Sequence, residues 1–390
     1  AGSVISKYWG VYLNDFMRLM GWNANTNLTF GSFHIDIAPI IIVAFFTTLL
    51  VFGTKIGARV DGAMTVLKIA IVFFVVIVGF FYVKASNFTP FIPPSQPAST
   101  VEGSSAVTGV MTQPLWQFAT GMTPSVYGVP GILSGAALVF FAFIGFDVVA
   151  TASEETKNPH KNVPLGIGVG MLLIIVMYML VAVVTTGMVS YADLAKQDSP
   201  SLATAFELVG ADWAAKIISF GIVLGLATVV MVLLLGLTRI VFAMSRDGLL
   251  PRGLSKTGKH GTPAALQIVV GAVVALVAAF FDIGVLSDMV NIGTLSAFTL
   301  VAISIPIMRK KRPDLPRAFK MPGSPWIPIL IAVANFWLML NLSVLTWIRF
   351  VVWLVVGFAI YFGYGYWHAR LGKGDLTETL SAETDKAVNG

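Results

Sequence analysis

The chain has 390 residues, of which 56% are hydrophobic and 11% charged, with 25 Lys and Arg against 19 Asp and Glu for a formal charge of +6. So little polar surface, with a mean hydropathy of +0.84, excludes a soluble globule and makes the bilayer the natural solvent. The absence of cysteine excludes a disulfide framework, a thiolate nucleophile and a Cys-based metal site.

The opening stretch, 1 to 20, reads as the back half of a membrane helix carrying Lys7, Asn14, Asp15 and Arg18, and with Ala at position 1 a truncated chain is expected. A helix needs about 20 residues to cross about 30 Å of hydrocarbon. Runs that approach or exceed this follow at 37 to 52, 62 to 82, 132 to 152, 164 to 189, 213 to 237, 264 to 282, 286 to 308, 326 to 346 and 348 to 368, ten spans with the opening stretch. The segment 83 to 131, rich in Pro, Ser, Thr and Gly, is too polar to span. It reads as an external loop with short helical pieces, either a passive connector or a cover for an outward vestibule. Residues 369 to 390 form a polar tail.

Positive charge collects in alternate loops: Lys55 and Arg59; Lys157 and Lys161; Arg246, Arg252, Lys256 and Lys259; six residues from Arg309 to Lys320; then Arg370 and Lys373. These 16 stand against Arg18, Lys84, Lys196, Lys216 and Arg349 on the other side. The asymmetry is the positive-inside pattern, so the C-terminus is expected in the cytoplasm. Basic residues confined to short loops point to membrane topology and anionic lipid rather than nucleic acid.

Enzyme signatures are missing from the sequence. His34, His160, His260 and His368 fall at or outside span ends, and neither His-Glu-x-x-His nor Gly-x-Ser-x-Gly occurs. Gly166, Gly168 and Gly170 enter a span, where close helix packing explains them better than phosphate binding. Ionisable groups inside a bilayer are costly and mark a pathway by default. Two stand out: Lys68, within Thr65-Val-Leu-Lys-Ile-Ala-Ile71, and Asp147, after Phe140-Phe-Ala-Phe-Ile-Gly-Phe. Lys68 either snorkels to the cytoplasmic interface or serves a cavity. Asp147 is either a structural hydrogen-bonding carboxyl or a titrating one. Gly145, mid-span among aromatics, permits close packing or a helix break. A break would expose carbonyls and amides suited to a zwitterion. Glu154 to Pro159 reads as an acidic helix end stopped by proline, or as part of an inner gate.

Four stretches, Thr65 to Ile71, FFAFIGFDVVATASEETKNP from Phe140, GLTRIVFAMSRDGLLP from Gly236 and NIGTLSAFTLVAISIPIMRKKRPDLPRAFKMP from Asn291, resemble the cationic amino acid transporter branch of the amino acid/polyamine/organocation superfamily. The resemblance implies an all-α polytopic membrane protein with the leucine-transporter-like inverted-repeat fold, lacking its first helices. In that fold residues 1–82 are a remnant of the first repeat, 83–131 an external loop, 132–308 the second repeat, 326–368 two accessory helices and 369–390 the tail. Carried over position by position, Phe141, Ala142 and Ile144 would line the substrate at a break in their helix, with Met231 flanking it. Thr228 would flank that pocket with Met231; Lys68 would occupy the place of a coupling cation and, when charged, brace the helix that contains Thr228, with Asp147 as a second titratable group.

The function expected from this is secondary active uptake of amino acids by alternating access, proton-coupled, with cationic amino acids as substrates. Small neutral amino acids or polyamines, or exchange, are the alternative; a sensor or channel of the same fold is more remote. The expected partners are an amino acid, protons and membrane lipid. No enzyme activity, cofactor, metal or nucleic acid is expected, and the expected location is a bacterial inner membrane.

Overall fold

The computed structural model describes residues 1–22, 26–30, 33–52, 55–101, 109–146, 156, 158–197, 201–256, 262–313 and 321–369. Helix dominates because backbone groups away from water must pair within their own segment. In chain order the elements are α1 (Gly2–Leu19), an antiparallel hairpin of β1 (Asn27–Phe30) and β2 (Phe33–Asp36), α2 (Ile37–Phe52), α3 (Lys55–Phe80), α4 (Leu115–Thr120) and α5 (Gly128–Val139). Then come α6 (Pro159–Met188), the short α7 (Tyr191–Ala195) and α8 (Leu202–Leu208), α9 (Asp212–Arg246), α10 (Ala264–Phe280), α11 (Ile283–Lys311), α12 (Trp326–Leu340) and α13 (Val344–Ile360).

A helix stands at each of the ten predicted positions. Among the described residues five are long and apolar enough to cross a membrane, within α3, α6, α9, α11 and α13. Three details differ from the sequence reading. The segment 83 to 131 contains, besides the expected short helical pieces such as α4, a two-residue strand pair, Gln96–Pro97 with Ser125–Val126, and gives way to α5 already at Gly128. The last two helices part earlier than expected, at Asn341 to Ser343, because the Ser343 hydroxyl accepts from the Thr346 amide at 3.3 Å and caps α13. The hairpin before α2 was not anticipated.

The 35-residue α9 is the pillar: α1, α2, α3, α8 and α10 all pack on it. Lipid tails are as apolar as leucine, so close van der Waals fit rather than escape from water must hold such helices together. The contacts show this fit. Val75, Val184, Phe206 and Ile218 join α3, α6, α8 and α9. Val43, Phe46, Met231 and Leu266 join α2, α9 and α10. A third cluster, Ala137, Ile292, Leu295 and Met339, joins α5, α11 and α12. At the end of α1, Arg18 forks onto both oxygens of Glu207 on α8 at 3.0 and 3.1 Å. With the arginine side chain 56% exposed, this pair fixes geometry more than it stabilises, at about 0–1 kcal/mol.

Candidate substrate and coupling site

The helix that begins as α5 does not run through. After Val139 it tightens into a 3-10 turn, Phe140–Phe143, closed by the Ile144 amide on the Phe141 carbonyl at 3.1 Å. Ile144 is extended, with ψ 132°, and Gly145 has φ 132°, a conformation that side-chain-bearing residues rarely adopt. Helix resumes at Phe146. Of the two readings left open for Gly145, the break is the one found.

Neighbours hold the break on two sides. From α6 the Tyr178 hydroxyl donates to the Ala142 carbonyl at 2.8 Å, and its ring meets Phe143 edge-on at 5.1 Å. From α11 the Phe298 ring contacts Phe140 at 6.0 Å and Phe146 at 5.0 Å. A carbonyl turned out of the helical ladder is thus given a donor, as an apolar setting requires.

Two cavities of about 290 Å³ each flank the broken segment. One lies against α6 and is lined by Ala142 to Phe146 with Gly166, Ile167, Gly170, Met171 and Ile174. The other lies against α9, α10 and α11, with Ile144, Leu233, Leu234, Gly236, Leu237, Ile240, Val274, Met289, Val290, Gly293 and Thr294 among its walls. Ile144 lines both. Among the described residues nothing packs closely on Gly166, Gly168 or Gly170. A Cβ added at any of the three would meet no atom within 4 Å among the described residues, and two of the three line a cavity.

The second constellation lies where α3 meets α9. A Cβ on Gly225 would stand 3.3 Å from Cγ, 3.7 Å from Cε and 4.0 Å from Cδ of Lys68, so the lysine stem lies across the bare face of that glycine. The buried Thr228 hydroxyl donates to the Gly225 carbonyl at 3.0 Å. With its one hydrogen committed there, its oxygen presents lone pairs. Lys68 and Thr228 are thereby brought to one glycine.

The other expected residues divide. Ile144 is on the cavity walls and Ala142 lines one cavity, with its carbonyl engaged by Tyr178. Phe141 is half-buried beside them. Met231 is 3% exposed and packs in the apolar cluster with Ile42, Val43 and Phe46, while the cavity is walled by its helix neighbours Leu233, Leu234 and Leu237. Asp147 and Glu154, Glu155 and Lys157 lie outside the described residues. The sequence reading did not single out Tyr178, Phe298 or Gly225. The signals were present: a single tyrosine in an apolar helix, an aromatic within the Asn291 stretch, and the spacing Gly221-Ile-Val-Leu-Gly225.

A bundle of long apolar helices around a broken one defines a multi-pass membrane protein. The chain belongs to the amino acid permease family, whose model matches residues 5–365. It is 39% identical over 381 residues to the branched-chain amino acid permease BcaP of Bacillus subtilis (strain 168), covering 96% of this chain and 75% of that protein. It is 38% identical over 334 residues to the methylthioribose transporter of the same organism, covering 85% and 65%. To the vacuolar cationic amino acid transporter 4 of Arabidopsis thaliana it is 34% identical over 281 residues, covering 72% of this chain and 42% of that one. The family and these relatives are permeases and transporters, not enzymes.

Proposed function

We propose that the protein carries amino acids with apolar side chains across a bacterial cytoplasmic membrane by alternating access, drawing on the proton gradient through Lys68, with its C-terminus in the cytoplasm. The observation that carries this is the break at Ile144–Gly145 between two cavities. Main-chain groups released at such a break suit the ammonium and carboxylate that every amino acid shares. The side chain would then be read by the walls. Those walls include Ile144, Leu233, Leu237, Ile240 and Val274, with Thr294 and Ala1 at the second cavity, and among the described residues no Asp or Glu lines either cavity.

This apolar lining favours leucine, isoleucine or valine over the cationic substrates that the resemblance suggested, and the branched-chain relative is in line with it. The frame of the proposal is the inverted-repeat arrangement, with 132–308 as its second repeat. Proteoliposomes loaded with unlabelled leucine and given labelled leucine outside should show saturable counterflow. Excess leucine should compete and excess arginine should not. Competition by arginine alone would return the substrate class to cationic amino acids, and linear, non-saturable flux would replace the carrier by a channel.

A further inference from the structure

Lys68 and Ile71 lie three apart on α3, and they face Gly225 and Gly221, four apart on α9. Contacts at those spacings are made by one face of each helix. The pairing 68 with 225 and 71 with 221 runs the two helices antiparallel. Helical side chains lean toward the N-terminus of their own helix, so Lys68 leans toward the Gly62 end of α3. On α9 that direction leads past Gly225 to Thr228, one turn on. The lean that lets a lysine snorkel to an interface carries this one across Gly225 toward a hydroxyl oxygen instead.

We propose that Gly225 is a positioning residue for proton coupling: its missing side chain is the seat that holds the Lys68 ammonium against α9 beside Thr228. This rests on the reading of Lys68 as the coupling group. The seat is a tight fit, since an added Cβ would come within 3.3 Å of the stem, and the stem is flexible enough to yield by a few tenths of an ångström. Gly225→Ala should therefore fold and yet lift the lysine from its place. At Gly221 the situation is reversed. A Cβ there would stand 2.6 Å from both Cγ1 and Cδ1 of Ile71, a more severe packing conflict with no amine involved.

Other charged and titratable groups on the helices concerned stand apart or belong to helix ends. On α9 they are Asp212, Lys216, Arg239 and Arg246, the nearest being nine residues or about 14 Å along the helix from Gly225. On α6 and α8, which also pack with α3, they are His160, Lys161 and Tyr178, and Glu207; on α3 itself, Lys55, Arg59 and Asp61.

The test compares Gly225→Ala, Gly221→Ala and Lys68→Met in the protein reconstituted in vesicles, with melting temperature and the pH profile of leucine accumulation as readouts. Gly221→Ala should lower the melting temperature more, yet leave the pH midpoint where it is. Gly225→Ala should lower it less, yet move the midpoint by about half a pH unit or more, roughly a threefold change in proton activity. Leucine binding at a fixed alkaline pH should be the same in both glycine variants. If the midpoint stays put in Gly225→Ala, or moves in both glycine variants in proportion to lost stability, the seat is only packing and the proposal is overturned. Lys68→Met separates the two levels: if it keeps the parent's pH profile, the reading of Lys68 fails. If it loses the profile while Gly225→Ala retains it, only the role of Gly225 falls.

Discussion

Replacing Tyr178 by phenylalanine removes one oxygen and little else. The Phe143 contact at 5.1 Å is a ring contact and survives; the hydrogen bond to the Ala142 carbonyl at 2.8 Å does not. A hydrogen bond of this kind is worth about 0.5–1.5 kcal/mol net, and membrane-protein cycles average about 0.6 kcal/mol. With Tyr178 40% exposed, about 1 kcal/mol is a fair ceiling for it. In its absence the Ala142 carbonyl is better satisfied by rewinding the segment so that the Phe146 amide reaches it. The broken form would then lose weight by up to about fivefold, and apparent substrate affinity falls by the same factor because only that form binds. Titration of labelled leucine onto detergent-solubilised protein reads this directly. Tyr178→Phe should weaken binding about three- to fivefold with a small change in melting temperature. Tyr178→Ala, which also loses the aromatic pair at about 0.5–1.5 kcal/mol, should weaken it further. Unchanged affinity in both variants would mean that the break is set by Gly145 alone and that Tyr178 merely rests against it.

Phe141→Ala should weaken leucine binding more than Phe140→Ala does, whereas Phe140→Ala, which loses its contact with Phe298 at 6.0 Å, should cost more stability, about 2 kcal/mol for a half-buried ring. Equal losses of affinity, measured by the same titration, would count against Phe141 as the ring that faces the substrate. Asn291 is 0% exposed, and neither amide atom has a partner among the described residues; each such group costs about 1–3 kcal/mol. Asn291→Leu should therefore raise the melting temperature, and a lowered one would show that the amide is bonded in the working protein. At Asp193, in α7, the Ser190 hydroxyl and then Lys196 hold the carboxyl below its ordinary value of 3.8. A depressed carboxylate contributes above its unfolded pKa and loses that contribution only as the pH falls through the folded one. Asp193 thus stays ionised from about pH 5 to 8. Asp193→Asn should leave the pH profile of uptake unmoved over that range, and a shifted profile would reveal a second titrating element outside the spans.

The helices were legible because a bilayer leaves a chain few options: an apolar run must satisfy its own backbone, and it does so as helix whatever it packs against. That logic fails where one residue has two uses. Gly145 and the glycines at 166, 168 and 170 are the same residue in the same kind of apolar stretch. Composition allows packing for all of them, yet one breaks a helix through its φ of 132° and the others have no close neighbour among the described residues. Periodicity carries no information on which, since both uses depend on where a neighbouring helix lies. Met231 was misplaced for a related reason. Its position on α9 was read correctly, but the face that meets the cavity is set by the crossing of α10 and α11, and that face belongs to Leu233, Gly236 and Leu237. Lys68 was linked by the resemblance to the helix that carries Thr228, and the approach of its stem to Gly225 came into view only with coordinates. The hairpin before α2 is held by strand pairing, which a hydropathy pattern does not register.

The proposed coupling has a physical route because one helix serves both constellations. Gly225 faces Lys68 on α3 with Thr228 bonded to its carbonyl, and Leu233 and Gly236 border the cavity next to the break. The step from Thr228 to Leu233 is five residues, about 8 Å along the axis. The indole of Trp9 on α1 donates to the Val223 carbonyl at 3.0 Å, between the two glycines that meet α3. A tightly packed helix has two positions or one rather than a continuum. A change in how Lys68 sits on Gly225 would therefore be passed on by displacing α9 as a body, not by bending it. The ammonium can bias that displacement only if it interacts differently in the two positions, and a seat that fits the stem in one of them supplies such a difference. That is why the comparison of Gly221→Ala with Gly225→Ala bears on mechanism. Both loosen the same interface, and only one disturbs the contact through which a proton could be felt at the substrate.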